Sequence, residues 1–311
     1  MNINYSFIIP HKNCPKLLQR CVDSIPERDD VQIIVVDDNS DEDKKPDLRS
    51  HKNLQVILLD ATRSKGAGRA RNIGLTHAIG KWLVFADSDD FFVKNLSELL
   101  DKYVNDCHDI IYFNVQVCDC YDVTKIYPQK NKSKLINKYK DTKNDLYLRL
   151  CYTEPWGKFI KRNLVVDKMI TFQETRAHND LLFSVKTGLK ADDVCVIDRP
   201  IYWYVLREGS LRQSIRIESY EITCDRIRAW DRTQRFLAEY DIKTKIYLPM
   251  ISCVRYAKSD MCKYLNLLNF MRHNNMGYLY VLRDTIRFYL LRLLGREANL
   301  NFENIIILKG K

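Results

Sequence analysis

No Cys-x-x-Cys pair occurs among the ten cysteines of this 311-residue chain, and only six histidines are present to join them. That shortage of paired soft ligands argues against a zinc site and for scattered reduced thiols. Cys118 and Cys120 simply alternate along an apparent strand. No uninterrupted apolar run is long enough to span a bilayer. A leader pattern is missing as well: Met1-Asn2-Ile3-Asn4 runs straight into an apolar strand, so a cytosolic protein is expected. No helix-turn-helix, zinc-finger or RRM signature accompanies the basic residues, which argues against a nucleic-acid partner. Gly66-Ala67-Gly68 is followed by Arg69, so the Gly-rich dinucleotide fingerprint is poorly matched.

What is present describes a water-soluble globular chain, 46% hydrophobic, long enough for one large domain or two smaller ones. Fifty basic residues against forty acidic ones leave a net charge of +10. A positive field of that size suits phosphorylated substrates or an anionic membrane surface.

Apolar strands alternate with helix-like segments through the first third, the pattern of a mostly parallel sheet covered on both faces. The expected strands are Tyr5 to Pro10, Val31 to Val36, Leu54 to Leu59, Trp82 to Ala86 and Asp109 to Val117. Helices are expected over Lys16 to Ile25, within Lys65 to Ile79, and over Leu96 to Val104. The Lys-rich stretch from Cys118 to Lys143 reads as a loop. Beyond it, Trp156 to Ile160 opens a second region, a helix starts near Asn179-Asp180, and Val194 to Ile197 and Ile201 to Val205 read as separate strands. The expected divisions are residues 1–118, 119–212 and a helical 213–311.

Asp87-Ser88-Asp89-Asp90 stands where the buried strand Trp82 to Ala86 surfaces. Massed carboxylates repel one another, and a divalent cation with oxygen ligands, shared with a phosphate-bearing substrate, offsets that repulsion. A plain strand-ending turn explains the same residues. A second acidic end, Asp37-Asp38, closes the strand from Val31. Ligands of open parallel sheets bind outside such strand ends.

Taken in order, these pieces resemble the family 2 glycosyltransferases over roughly residues 5 to 210. Ser6 to Pro10 with Asn13 looks like the family's opening strand and turn. Ile34 to Ser40 resembles its nucleotide-binding strand end, and Gly66 followed by Ala70-Arg71-Asn72-Ile73-Gly74 its helix motif. Asp87-Ser88-Asp89 is similar to its DxD metal motif. Trp156-Gly157-Lys158 looks like the start of its acceptor half. His178-Asn179-Asp180 sits where Glu-Asp is usual, and Tyr202-Trp203-Tyr204 with Arg207 and Gly209-Ser210 is similar to its closing segment. Asn179 and Ser64 depart from the usual Glu and Asn.

The resemblance implies a GT-A type α/β fold, Rossmann-like, with a helical C-terminal extension. It implies an inverting, metal-dependent transfer of sugar from a nucleoside diphosphate sugar, a UDP-sugar being the expected donor, to a glycan or lipid-linked hydroxyl. Asp87 and Asp89 would hold Mn²⁺ or Mg²⁺. Pro10, Asn13, Asp38, Arg71, Asp87, Ser88, Arg207 and Ser210 would line the donor, with Arg71 pairing Asp38 or facing the nucleotide. Trp156 and Asn179 would meet the acceptor, although core packing also accounts for Trp156. Asp180 would be the general base. Asn179-Asp180 before an apolar run equally reads as a helix N-cap. Arg207, Ser210 and Arg212 would form a loop closing over the diphosphate.

Leu279, Leu282, Ile286, Tyr289, Leu290 and Leu293 recur at helical spacing with Arg283, Arg287, Arg292 and Arg296 flanking them. Over residues 278–296 this pattern suits either a helix packed on its own domain or an amphipathic contact with the inner face of the cytoplasmic membrane. Two rivals stand beside the transferase: a catalytically silent glycan- or nucleotide-binding homologue, and a sugar nucleotidyltransferase. The second would carry a glycine-rich loop after the first strand, where Pro10-His11-Lys12-Asn13 has no glycine.

Overall fold

The computed structural model describes residues 2–127, 130–206, 219–243, 250–293 and 308–309. The chain divides into two compact units, Met1–Gln213 and Ser214–Lys311.

In the first unit the order is β1 (Tyr5–His11), α1 (Pro15–Asp23), β2 (Val31–Asp37), β3 (Leu54–Leu58), α2 (Ala67–His77), β4 (Trp82–Phe85), β5 (Phe91–Phe92), α3 (Leu96–Tyr103) and β6 (Ile110–Asp119). It continues with β7 (Ile126–Tyr127), α4 (Lys130–Thr142), α5 (Leu146–Cys151), β8 (Lys158–Lys161), α6 (Arg162–Asp167), α7 (Leu181–Lys190) and β9 (Val194–Leu206). The strands form one sheet in the order β3-β2-β1-β4-β8-β6-β9-β5, with β7 on β6. β3, β2, β1 and β4 run parallel, as do β6 and β9, while β8 lies antiparallel between β4 and β6.

Every residue of β1 and β4 is buried. That is why both segments read as unbroken apolar runs, the signature of strands covered on two faces. α1 starts on Pro15, whose ring suits the first helical turn, and buries Leu18, Cys21 and Val22. Aromatic pairs fill the core: Phe7 meets Phe92 edge-on with centroids 5.2 Å apart, and Phe113 meets Phe159 at 4.9 Å. Each such ring fully buried contributes roughly 1.5–3 kcal/mol.

Two expectations change. Much of the Lys-rich stretch read as a loop is helical: α4 buries Ile136 and Lys132. Its apolar face is too narrow to stand out against so many lysines. The two strands expected between Val194 and Val205 are one long β9, and its register against β6 shifts around Asn114. Pro200 falls at that irregularity, where a missing N–H is tolerated. The division at residue 118 falls one residue before the end of β6.

In the second unit α8 (Tyr220–Ala238) is followed by β10 (Ile242–Lys243), α9 (Met250–Ser259), α10 (Met261–His273), α11 (Tyr278–Leu293) and β11 (Leu308–Lys309), which pairs with β10. The side chain of Ser219 caps α8 and that of Asp260 caps α10. Val281 and Thr285 of α11 are buried, whereas Leu279, Leu282, Ile286 and Leu290 are 61%, 38%, 51% and 54% exposed. No helix among the described residues is long and apolar enough to cross a membrane.

Candidate active site

Adjacent strands β2, β1 and β4 bring Asp37-Asp38, His11 and Asp87 to one edge of the sheet. The two acidic ends have different jobs. Asp37 is spent on the scaffold: its carboxylate accepts from Ser40 and pairs with buried His11 at 2.7 Å. His11 Nε2 accepts the Cys14 amide at 3.1 Å, so Nδ1 carries the proton bonded to Asp37. Asp38 accepts the backbone N–H groups of Lys65 and Gly66 at 3.1 and 3.0 Å, and its carbonyl accepts the Ser64 hydroxyl. It clamps the loop that leads into α2. Ser64, where the resemblance calls for Asn, serves that clamp. Asn13 has φ +58 and exchanges bonds with Asp41. Pro10 is buried in β1.

Arg71 departs furthest from expectation. It is 5% exposed, and its hydrogen bonds go elsewhere than to Asp38. Its guanidinium donates to Asp87 Oδ1 at 2.5 Å and to Asn179 Oδ1 at 2.7 Å, and lies over the Phe172 ring. One planar fork thus ties the acidic loop after β4 to the residue before Asp180. The sequence carries no local sign of this, since Arg71 and Asn179 are 108 positions apart. α2 and the Gln173–Asn179 segment meet this closely because residue 68 lacks a side chain. A Cβ there would sit 2.0 Å from the Gln173 carbonyl oxygen.

Asp180 occupies the cap position of α7 by its backbone, yet its carboxylate makes no capping bond. Burial raises that carboxyl to about 6; Arg71 opposes the rise, and the charges of Glu154 and Asp87 reinforce it. A carboxylate with that value and an uncommitted cap role suits proton acceptance near neutral pH.

On the acidic loop, Asp87 and Asp89 are partly exposed whereas Ser88 and Asp90 are buried. Ser88 Oγ lies 3.2 Å from Cys14 Sγ. Asp90 accepts the Tyr202 hydroxyl and the Val205 amide, both at 2.8 Å, and Tyr202 in turn accepts the Asp87 amide. Burial and the charges of Asp89 and Asp87 push the Asp90 carboxyl well above the usual range. The donor set fits a hard divalent cation: two carboxylates on one loop, one of them using a single oxygen for Arg71, with remaining positions left for phosphate oxygens and water.

Trp156 is 5% exposed and stacked on Tyr202 and Tyr204, with centroids 5.3 and 5.8 Å away. It packs the wall behind Tyr202, and its indole face is occupied by those rings. Sequence reasoning missed the polar cluster beside it. Buried Lys132 forms an ion pair with Glu154, and Lys158 donates to the Tyr152 carbonyl at 2.6 Å. Burial lowers the Lys158 ammonium to about 7, helped by Lys132 and opposed by Glu154 and Asp180. Arg207, Ser210, Arg212 and Arg296 lie outside the described residues.

Residues 6–166, just over half of the chain, match the sequence profile of Glycosyl transferase family 2. The chain belongs to that family. It is 27% identical over 236 residues to the Staphylococcus aureus poly(ribitol-phosphate) beta-N-acetylglucosaminyltransferase TarS, covering 71% of this chain and 39% of that protein. It is 28% identical over 216 residues to a Bacillus spizizenii poly(ribitol-phosphate) beta-glucosyltransferase, covering 66% and 32%. The chain therefore spans well under half the length of these relatives. The structure of S. aureus TarS 1–349 in complex with UDP-GlcNAc superposes with a TM-score of 0.64 at 19% identity, covering 99% of this chain and 97% of that one. The shared fold is the GT-A type.

Proposed function

We propose that this glycosyltransferase moves a sugar from a UDP-sugar to a hydroxyl of a glycan, polyol-phosphate or lipid-linked acceptor, with inversion at the anomeric carbon. The observation that carries the reading is Arg71, which draws Asp87 and Asn179 together and so sets the acidic loop beside Asp180. The catalytically silent alternative would give no reason for a raised carboxyl that makes no capping bond at that place.

In this reading the acceptor oxygen gives its proton to Asp180 and attacks the anomeric carbon from the face opposite the diphosphate. The bond from that carbon to the diphosphate oxygen breaks, and the nucleoside diphosphate leaves. Asp87 and Asp89 would hold Mn²⁺ or Mg²⁺, which would supply positive charge against that of the diphosphate. Arg71 keeps Asp87 oriented and Asp180 ionised, while the Asp38 clamp fixes the loop beneath the nucleotide. Both named relatives are beta-transferases, the outcome expected when an alpha-linked nucleotide sugar is displaced with inversion. The UDP-GlcNAc complex of the related fold supports UDP as the nucleotide.

The proposed setting is the inner face of the cytoplasmic membrane. α11 supports it by exposing Leu279, Leu282, Ile286 and Leu290 on one side beside exposed Arg283. The test of the transferase reading is nucleotide release from UDP-sugars with Mn²⁺, repeated with Asp89→Ala and Asp180→Asn. Equal release by all three proteins would falsify it.

A further inference from the structure

A groove of about 920 Å³ opens in the first unit between α1, the first turn of α3 and the β5–β9 edge. No residue assigned above to base, donor or metal lines it. β5 and β9 pair Phe91 with Trp203 and Phe92 with Tyr202. Successive strand residues point to opposite faces. Tyr202, which bonds the acidic loop, is therefore on one face, and Phe91 with Trp203 is on the other. These two rings stack on each other 5.9 Å apart at 17°, and both are half-buried, so their exposed rims give the groove an apolar wall.

Cations line the same groove. Arg20 lays its guanidinium over Phe91 at 4.9 Å, and its Nε is buried with no hydrogen-bond partner. Lys94 and Arg199 stand exposed on the groove wall. The acidic side chain lining the groove, Asp23, is committed to Gln19 and Arg49. An apolar ring wall in a groove lined by cations matches a chain that alternates apolar carbons with anionic groups. A neutral glycan would use the wall and leave the cations unpaired. A protein partner is a poorer fit, because the groove carries one sign of uncommitted charge.

We propose that this groove binds a phosphodiester-bearing glycan or polyol chain at a distance from the reacting centre, with its apolar carbons against the Phe91–Trp203 wall and its phosphates against Arg20, Lys94 and Arg199. The chemical class rests on the polyol-phosphate acceptor proposed above; the site itself does not. Arg20 also donates to the backbone carbonyl of Asp89 at 2.6 Å. A chain seated in the groove thus touches the far side of the acidic loop through one side chain. Such a second grip holds a polymer near the centre between successive transfers and raises its effective concentration there.

The experiment measures binding without donor, by calorimetry on the full chain, so that it is independent of turnover. The probes are a short ribitol-phosphate oligomer and a neutral dextran oligomer of equal length. The wild type is expected to prefer the phosphodiester oligomer. Reversing both exposed cations, Lys94→Glu with Arg199→Glu, is expected to weaken that binding about tenfold. Trp203→Leu should weaken both oligomers, with circular dichroism checking its fold; the surface double variant keeps the test valid should Trp203→Leu unfold. Equal affinity in wild type and the double variant overturns the proposal, as does absence of preference for the anionic oligomer. Asp180→Asn should bind like the wild type, so a failed transferase reading and a failed groove give different results.

Discussion

Arg71 donates to Asp87 at 2.5 Å from a side chain that is almost wholly buried. A carboxylate proposed to share a cation is thereby held by a permanent positive charge on one of its oxygens. The same guanidinium lowers the Asp180 carboxyl against the pull of burial. Replacing Arg71 with Met should therefore do two things. Turnover should fall by about 10²-fold through lost positioning. The acid limb of kcat/KM should also move above pH 6, because one charge favouring ionised Asp180 is gone. Arg71→Lys should rescue little, since a single ammonium cannot fork to both partners. An unmoved acid limb would remove Arg71 from this role.

The pH dependence follows from Asp180 itself. A general base works only when ionised, and its ionised fraction rises as pH climbs through about 6. In the free enzyme kcat/KM should fall about tenfold per pH unit well below that point. Asp180→Asn should lose roughly 10²–10⁴ in rate while keeping donor affinity, and it should also lose the acid limb. Persistence of the limb in that variant would assign it to another group.

Gly68→Ala tests the close approach of α2 to the segment before α7. The added methyl would sit 2.0 Å from the Gln173 carbonyl, a backbone atom that cannot swing aside. A loss of ~1–3 kcal/mol is expected in urea unfolding, with a drop in turnover as Asn179 and Asp180 shift. Wild-type stability together with wild-type turnover would show that the two segments need not meet.

For the second unit, the exposed face of α11 predicts association with anionic vesicles. Leu282→Glu with Ile286→Glu should reduce sedimentation with phosphatidylglycerol vesicles, and removal of residues from Gly277 onward should abolish it. Sedimentation unchanged in both variants removes the membrane contact.

Much of this molecule is readable one segment at a time. Buried strands announce themselves as apolar runs, so β1, β2, β4 and β6 stand within a few residues of their expected ends, and the more exposed edge strand β3 is still apolar enough to be read. The acidic loop after β4 and the carboxylate opening α7 are likewise local features. What escaped reading is set by pairs distant in sequence. Arg71 finds Asn179, and Lys132 finds Glu154 from a helix whose lysines disguise it as a loop. Trp156 illustrates the limit in the other direction. A solitary tryptophan suggests a sugar platform, and only the rings of Tyr202 and Tyr204 reveal that its face is occupied. The half-buried pair that lines the groove, Phe91 and Trp203, is likewise brought together only by the pairing of β5 with β9.

The continuity of the sheet bears on how this protein can be taken apart. β8 returns to lie against β4, and β9 reaches back to β5, so a strand from the later sequence sits beside one from the earlier sequence at two places. Cleaving the polypeptide near residue 118 would cut inside β6 and expose raw hydrogen-bonding margins on both fragments. Neither piece would survive as an autonomous donor-recognition cassette, and chimaeras exchanged at that point would inherit mismatched seams.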